Sequence, residues 1–138
     1  MSACRFGLSG IRPALVALLA LTLPAGADEL ADFHAAVEQA SAQYRVALSV
    51  LETSGPDETA AEVQRFREIW HAMIGRFGSK RPDGFADYDS FRASFTESDA
   101  RIVGVLIVIS AGRREAARDG LAPIGEMLSR LEERSAPP

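Results

Sequence analysis

The sequence predicts an all-α protein, an up-down-up-down four-helix bundle behind a cleaved signal peptide. Three observations carry that prediction. Apolar residues recur at alternating steps of three and four in four separate segments, the period of a helix that buries one face. The connections between those segments are short and marked by Gly, Pro and Ser. The single β-branched run, at residues 102–109, has no second strand-like run to pair with, so it reads as a helix despite its strand propensity.

The first 27 residues read as an export signal. Arg5 and Arg12 give a positive start, no acidic residue precedes Asp28, and Ala14 to Leu23 is apolar apart from Thr22. Pro24 and Ala25-Gly26-Ala27 then offer small residues to a signal peptidase, so cleavage is expected after Ala27 and the destination is the periplasm. The apolar stretch falls short of the roughly 20 residues a spanning helix needs, which argues against a stable membrane anchor. The expected organisation is thus signal peptide 1–27, bundle 28–134 and a disordered tail at 135–138.

Composition narrows the chemistry. The leader holds two of the 15 Lys and Arg and none of the 19 Asp and Glu, so its removal moves the net charge from −4 to −6. An acidic chain with no basic run longer than Lys80-Arg81 or Arg113-Arg114 is a poor match for nucleic acid, whose phosphates need a basic face. The only cysteine, Cys4, lies in the leader. The mature chain therefore has no disulfide, thiol nucleophile, Cys-ligated metal or thioether-linked haem, and core packing alone must hold it together.

The first helix is expected from about Glu29 to Thr53, with Leu30, Phe33, Val37, Ala40, Tyr44, Ala47 and Leu51 on its buried stripe. Ser54-Gly55-Pro56 ends it, and Asp57 and Glu58 place acid at the positive end of the second helix. That helix carries Val63, Phe66, Trp70, Met73 and Phe77, and Gly78 closes it. After a loop at 79–87, Tyr88, Phe91, Phe95, Ile102, Leu106 and Ile109 mark a third helix, with a weak point expected at the polar stretch Thr96–Asp99. Its run IVGVLIVI reads as buried on most of its surface. Ala111-Gly112 breaks the chain again. The fourth helix carries Ala117, Leu121, Ile124, Leu128 and Leu131, and Pro123 must either kink it or mark a restart after Gly120. Gly104 and Gly125, inside helices, point to close approach of a neighbouring helix.

Few constellations carry chemistry. In REIWHAMIGRF, residues 67–77, His71 and Met73 are soft ligands suited to copper. Side chains two apart on a helix do not face each other, however, and His71 stands about 100° off the stripe that holds Trp70 and Met73. Glu68 and His71 have the Glu-x-x-His spacing of di-iron bundles, but no second such motif exists. Asp83, Asp87 and Asp89 miss the ordered acid pattern of a calcium loop and read as turn and helix-start residues. Phe85, Tyr88, Phe91 and Phe95 crowd one end of the bundle, where they seal the core or line a small apolar pocket. No G-x-S-x-G elbow or Gly-rich phosphate loop is present, so no enzyme activity is expected.

In length, leader and helix number the chain resembles the exported haem-binding bundles of the cytochrome b562 and cytochrome c′ type. That resemblance implies a haem held between helices, and the residues available for it here are His34, near the start of the first helix, and Met127, near the end of the fourth. It departs from the family pattern in lacking Cys-x-x-Cys-His and in carrying no His on the fourth helix. The expected function is a non-enzymatic binding or accessory role with a protein or small-ligand partner. The alternative is a haem or copper carrier, and a homodimer is left open.

Overall fold

The computed structural model describes residues 25–80, 82, 85 and 88–137. The expected leader up to Pro24, with Cys4, lies outside the described residues, as do Asp83, Asp87 and the side chains of Tyr88 and Asp89. Four helices follow in order: α1 (Ala25–Thr53), α2 (Pro56–Phe77), α3 (Tyr88–Ser110) and α4 (Arg114–Ser135). The fold is all-α, with α1 packed on α2 and α4, and α3 packed on α2 and α4. Among the described residues no helix is long and apolar enough to cross a membrane.

Each helix boundary has a local cause. Thr53 and Ser54 end α1, and Pro56 opens α2 at a position where its missing N–H costs nothing. Asp57 and Glu58 follow in the first turn, and the Thr59 hydroxyl bonds back to the Gly55 carbonyl at 2.8 Å. Between α3 and α4 the Arg113 N–H reaches Val108 O and the Gly112 N–H reaches Ile109 O, both at 2.9 Å. That bond pair needs a left-handed residue, and Gly112 supplies it at φ 72°.

The stripes expected on α1 and α2 form the core. Phe33, Val37, Ala40, Ala47 and Leu51 of α1 are buried, with Leu30 and Tyr44 packed at the edge. On α2 every expected stripe residue is buried: Val63, Phe66, Trp70, Met73 and Phe77. Aromatic rings then run through the interior without a break. Phe33 meets Phe77, Phe85 and Phe91 edge-on at 5.1–5.4 Å between centroids. Phe91 meets Phe95 at 4.3 Å, Phe95 meets Trp70 at 5.1 Å, and Trp70 stacks on Phe66 at 6.0 Å. Packing outweighs a polar defect at Trp70, whose buried Nε1 has no hydrogen-bond partner among the described residues.

Several boundaries and faces differ from the sequence expectation. The first helix begins at Ala25 rather than Glu29, so the expected cleavage point after Ala27 falls in its first turn. The fourth helix extends through Ser135, which was expected in the tail. Its hydroxyl is fully buried and bonds to the Leu131 carbonyl at 2.7 Å. Across Thr96–Asp99, α3 is unbroken. Three of the four polar side chains there have partners: Glu97 pairs with Arg101 one turn on, Ser98 is buried against Met127, and Asp99 bonds to α2. Pro123 sits inside a single α4, so no restart follows Gly120.

The run Ile102–Ile109 is helical but not buried on most of its surface. Ile102, Val105 and Ile109 are in the core, whereas Val103, Gly104 and Ile107 face outward, with Ile107 at 65% exposure. Four helices in a ring leave each one an outer face, and the apolar content of this segment exceeds what the inner face can take. The glycines sort in the same way. A Cβ at Gly125 would lie 2.6 Å from the Tyr44 hydroxyl, and one at Gly120 would lie 2.7 Å from Val105, so both are points of close helix approach. At Gly104 nothing stands within 4 Å.

Two predictions follow from these faces. Trp70→Ala should cost about 3–5 kcal/mol, the range for deleting a buried large aromatic, while exposed His71→Ala costs under about 1 kcal/mol. Urea denaturation measures both, and a reversed order would refute the assignment of faces on α2. Gly125→Ala should lower the melting temperature although Ala is the better helix former. Gly104→Ala, in open space, should raise stability by up to about 1 kcal/mol.

Candidate binding groove

On α3 and α4 the same helical spacing that fills the core also opens a groove between the two outer edges. Phe91 and Leu131 are buried in its floor beside Met127, and Phe85 closes one end from the loop before α3. Arg130 and Arg134, one turn apart on α4, stand on its rim with Ser94 and Glu97 of α3 opposite. The groove is half open and has a volume of about 310 Å³. Phe85 and Phe91 are two of the four aromatics expected to seal the bundle's end. Phe95 lies behind them, against Phe91 and Trp70, in the core.

The groove's charge follows from its pairs. Glu97 is engaged by Arg101 at 2.7 Å, which neutralises the carboxylate on the α3 side. Arg130 of α4, exposed on the rim, then adds a positive charge to the groove, whereas the Arg134 guanidinium is itself engaged. The position of both near the C-terminal end of α4 also suits the helix dipole, whose negative end favours cations. Met127 is oriented by Ser98, whose hydroxyl donates to its Sδ at 2.9 Å. An apolar floor with a few convergent polar groups is the general form of a small-molecule site.

The residues expected to ligate a metal or haem are placed elsewhere or otherwise engaged. The Nδ1 of His34 meets the Ser135 hydroxyl at 2.8 Å, and its Nε2 lies 3.5 Å from Glu38. Because that hydroxyl donates to the Leu131 carbonyl, the His34 Nδ1–H is the donor to it. Ser135 and Met127 are eight positions apart on one helix, about 12 Å along its axis. The imidazole of His34 and the thioether of Met127 are therefore at different levels and both hydrogen-bonded, and the pair does not fit a haem clamped between them. Met73 is buried in the core, while His71 is exposed on the flank of α2. One ion does not reach both. Among the described residues no group of three or more His, Cys, Asp or Glu is placed to hold a metal ion.

His71 has a structural partner that the sequence did not reveal. Its Nε2 lies 2.6 Å from Asp99 on α3, and Arg67, one turn earlier on α2, donates to the same carboxylate oxygen at 3.1 Å. The Arg67 hydrogen bond, with a further contribution from His71, holds the Asp99 carboxyl below the usual carboxylate range. Tyr44 was likewise expected only as a stripe residue. Its hydroxyl crosses to α4 and donates to the Leu121 carbonyl at 3.0 Å, in the space that Gly125 leaves. Burial pushes this hydroxyl above its ordinary range. No protein-family model, curated protein or solved structure matches the chain.

A carboxylate whose pKa falls on folding contributes stability above its unfolded value, and that contribution is lost as pH drops through the lower folded value. Asp99→Asn should therefore reduce the melting temperature at neutral pH. The gap from wild type should close as pH falls below about 4, the unfolded aspartate range. A gap that stays constant through the acid range would show that Asp99 does not couple α2 to α3 through its charge.

Proposed function

We propose that this protein is a small exported binding protein of the periplasm, without catalytic chemistry, that takes a small molecule in the groove between α3 and α4. The groove itself carries the reading: an apolar floor of Phe91, Met127 and Leu131 under the guanidiniums of Arg130 and Arg134, with a volume of about 310 Å³. That volume stands at the lower end of the range for small-ligand sites. The Arg130 guanidinium on the rim favours an anion with an apolar body over a neutral or cationic one.

Other features support the wider reading. The basic, apolar and small-residue order of the first 27 residues supports export. An up-down-up-down arrangement is supported by pairs at the helix ends: Asp32 with Arg76, His34 with Ser135, and Glu52 with Arg118. The hydroxyl that does meet an imidazole, that of Ser135, is buried and donates to a carbonyl. That favours a structural role over nucleophilic attack.

Methionine methyl resonances test the groove directly, because Met127 lines it and Met73 does not. Titration with phenylacetate, phenethylamine and benzyl alcohol should shift the Met127 methyl saturably for phenylacetate, with a dissociation constant of about 1 mM or tighter. Met73 should stay in place. Ala93→Trp, on the exposed lip, should abolish the shift without unfolding the protein. If no probe moves Met127, or if Met73 moves equally, the groove is not a binding site.

A further inference from the structure

We propose that the outward face of α3 is a homodimer interface in which Ile107 of each copy seats over Gly104 of the other. The segment from Ala100 to Gly112 holds a single charged residue, Arg101, and that one is paired with Glu97. A helix apolar on all sides is normally buried on all sides. Here the inner half is in the core, while Val103 is 38% and Ile107 65% exposed, and Ala100, Gly104 and Ala111 extend the same face.

Gly104 is the second observation. A glycine inside a helix costs about 1 kcal/mol relative to alanine, and a close neighbour usually explains it. Gly120 and Gly125 have such neighbours, Val105 and Tyr44, whereas Gly75 and Gly104 have nothing within 4 Å. Of these two only Gly104 lies beside exposed large apolar side chains, Val103 and Ile107. It leaves an open notch one turn from the most exposed large apolar side chain of the chain's described residues.

A knob and a notch on one face identify the occupant as a second copy. If two α3 helices cross antiparallel about a two-fold axis, the operation that sets Ile107 on Gly104 also sets Gly104 under Ile107. It brings Ala100 opposite Ala111 as well. This reciprocity is what an isologous contact requires. The electrostatics agree: the chain is acidic overall, yet residues 100–112 contain no carboxylate, so this face brings no like charges together. The contact spans about three helical turns, which places it below about 1,200 Å² and makes a reversible dimer the expected product.

Sedimentation velocity of the purified protein from about 1 µM to about 500 µM spans the range where so small an interface associates. Wild type should pass from monomer to dimer with concentration. Ile107→Lys, at an exposed position, should weaken association at least about tenfold with an unchanged circular dichroism spectrum. Gly104→Leu, which fills the notch, should do the same. Val46→Lys, at a half-exposed position on α1, should leave association intact. A chain that stays monomeric throughout, or a dimer that survives both Ile107→Lys and Gly104→Leu, overturns the proposal. In the first case the face belongs to a different protein or a lipid surface, and in the second another face makes the dimer.

Discussion

The structure depends on one continuous line of aromatic contacts through its interior. Phe33 of α1 is met edge-on by rings from α2, the loop and α3, and the line continues through Phe91, Phe95, Trp70 and Phe66 to Tyr44. From Tyr44 a hydrogen bond reaches the backbone of α4. All four helices are therefore tied to one set of rings. A chain with a single cysteine can form no internal disulfide, so burial of these rings, each removing about 150–250 Å² from water, must supply most of the cohesion. The surface ion pairs between helices contribute little individually. They fix which helix ends meet.

The same line of rings fixes the groove. Phe91 touches Phe33, Phe85 and Phe95 on its inner side and forms floor on its outer side. Any movement of the floor would disturb the core, which gives the site a rigid base. Met127 has a comparable anchor in Ser98. The two histidines, which looked like ligands in isolation, join helices instead: His34 links α1 to the end of α4, and His71 links α2 to Asp99 of α3. Each is a polar seam between neighbours.

How much of this was legible in the sequence depended on whether the signal was periodic or long-range. The faces of α1 and α2 were readable because Phe33, Val37, Val63, Phe66, Trp70 and Met73 follow the helical period without a polar interruption. The face of α3 was harder. Ser98 and Val105 are buried but looked polar or redundant, and Ile102–Ile109 is apolar on every side, so its period carries no direction. The partners of Tyr44, His34 and His71 were not readable at all, since they lie 77, 101 and 28 positions away. Gly125 was the one hint of the Tyr44 contact, because a helical glycine points to a close neighbour. The Phe85–Phe91 end of the groove was visible as an aromatic cluster. Its arginine rim was not, since Arg130 and Arg134 read as an ordinary helix end.

The central claim is that the aromatic line makes the four helices a single cooperative unit. Native-state hydrogen exchange of backbone amides tests it most directly. The account predicts that the slowest amides of α1, α2, α3 and α4 open with one common free energy, equal to that of global unfolding and with the same denaturant dependence. Exchange of the buried amides of any one helix through a separate opening of lower free energy, with the other three still protected, would contradict it.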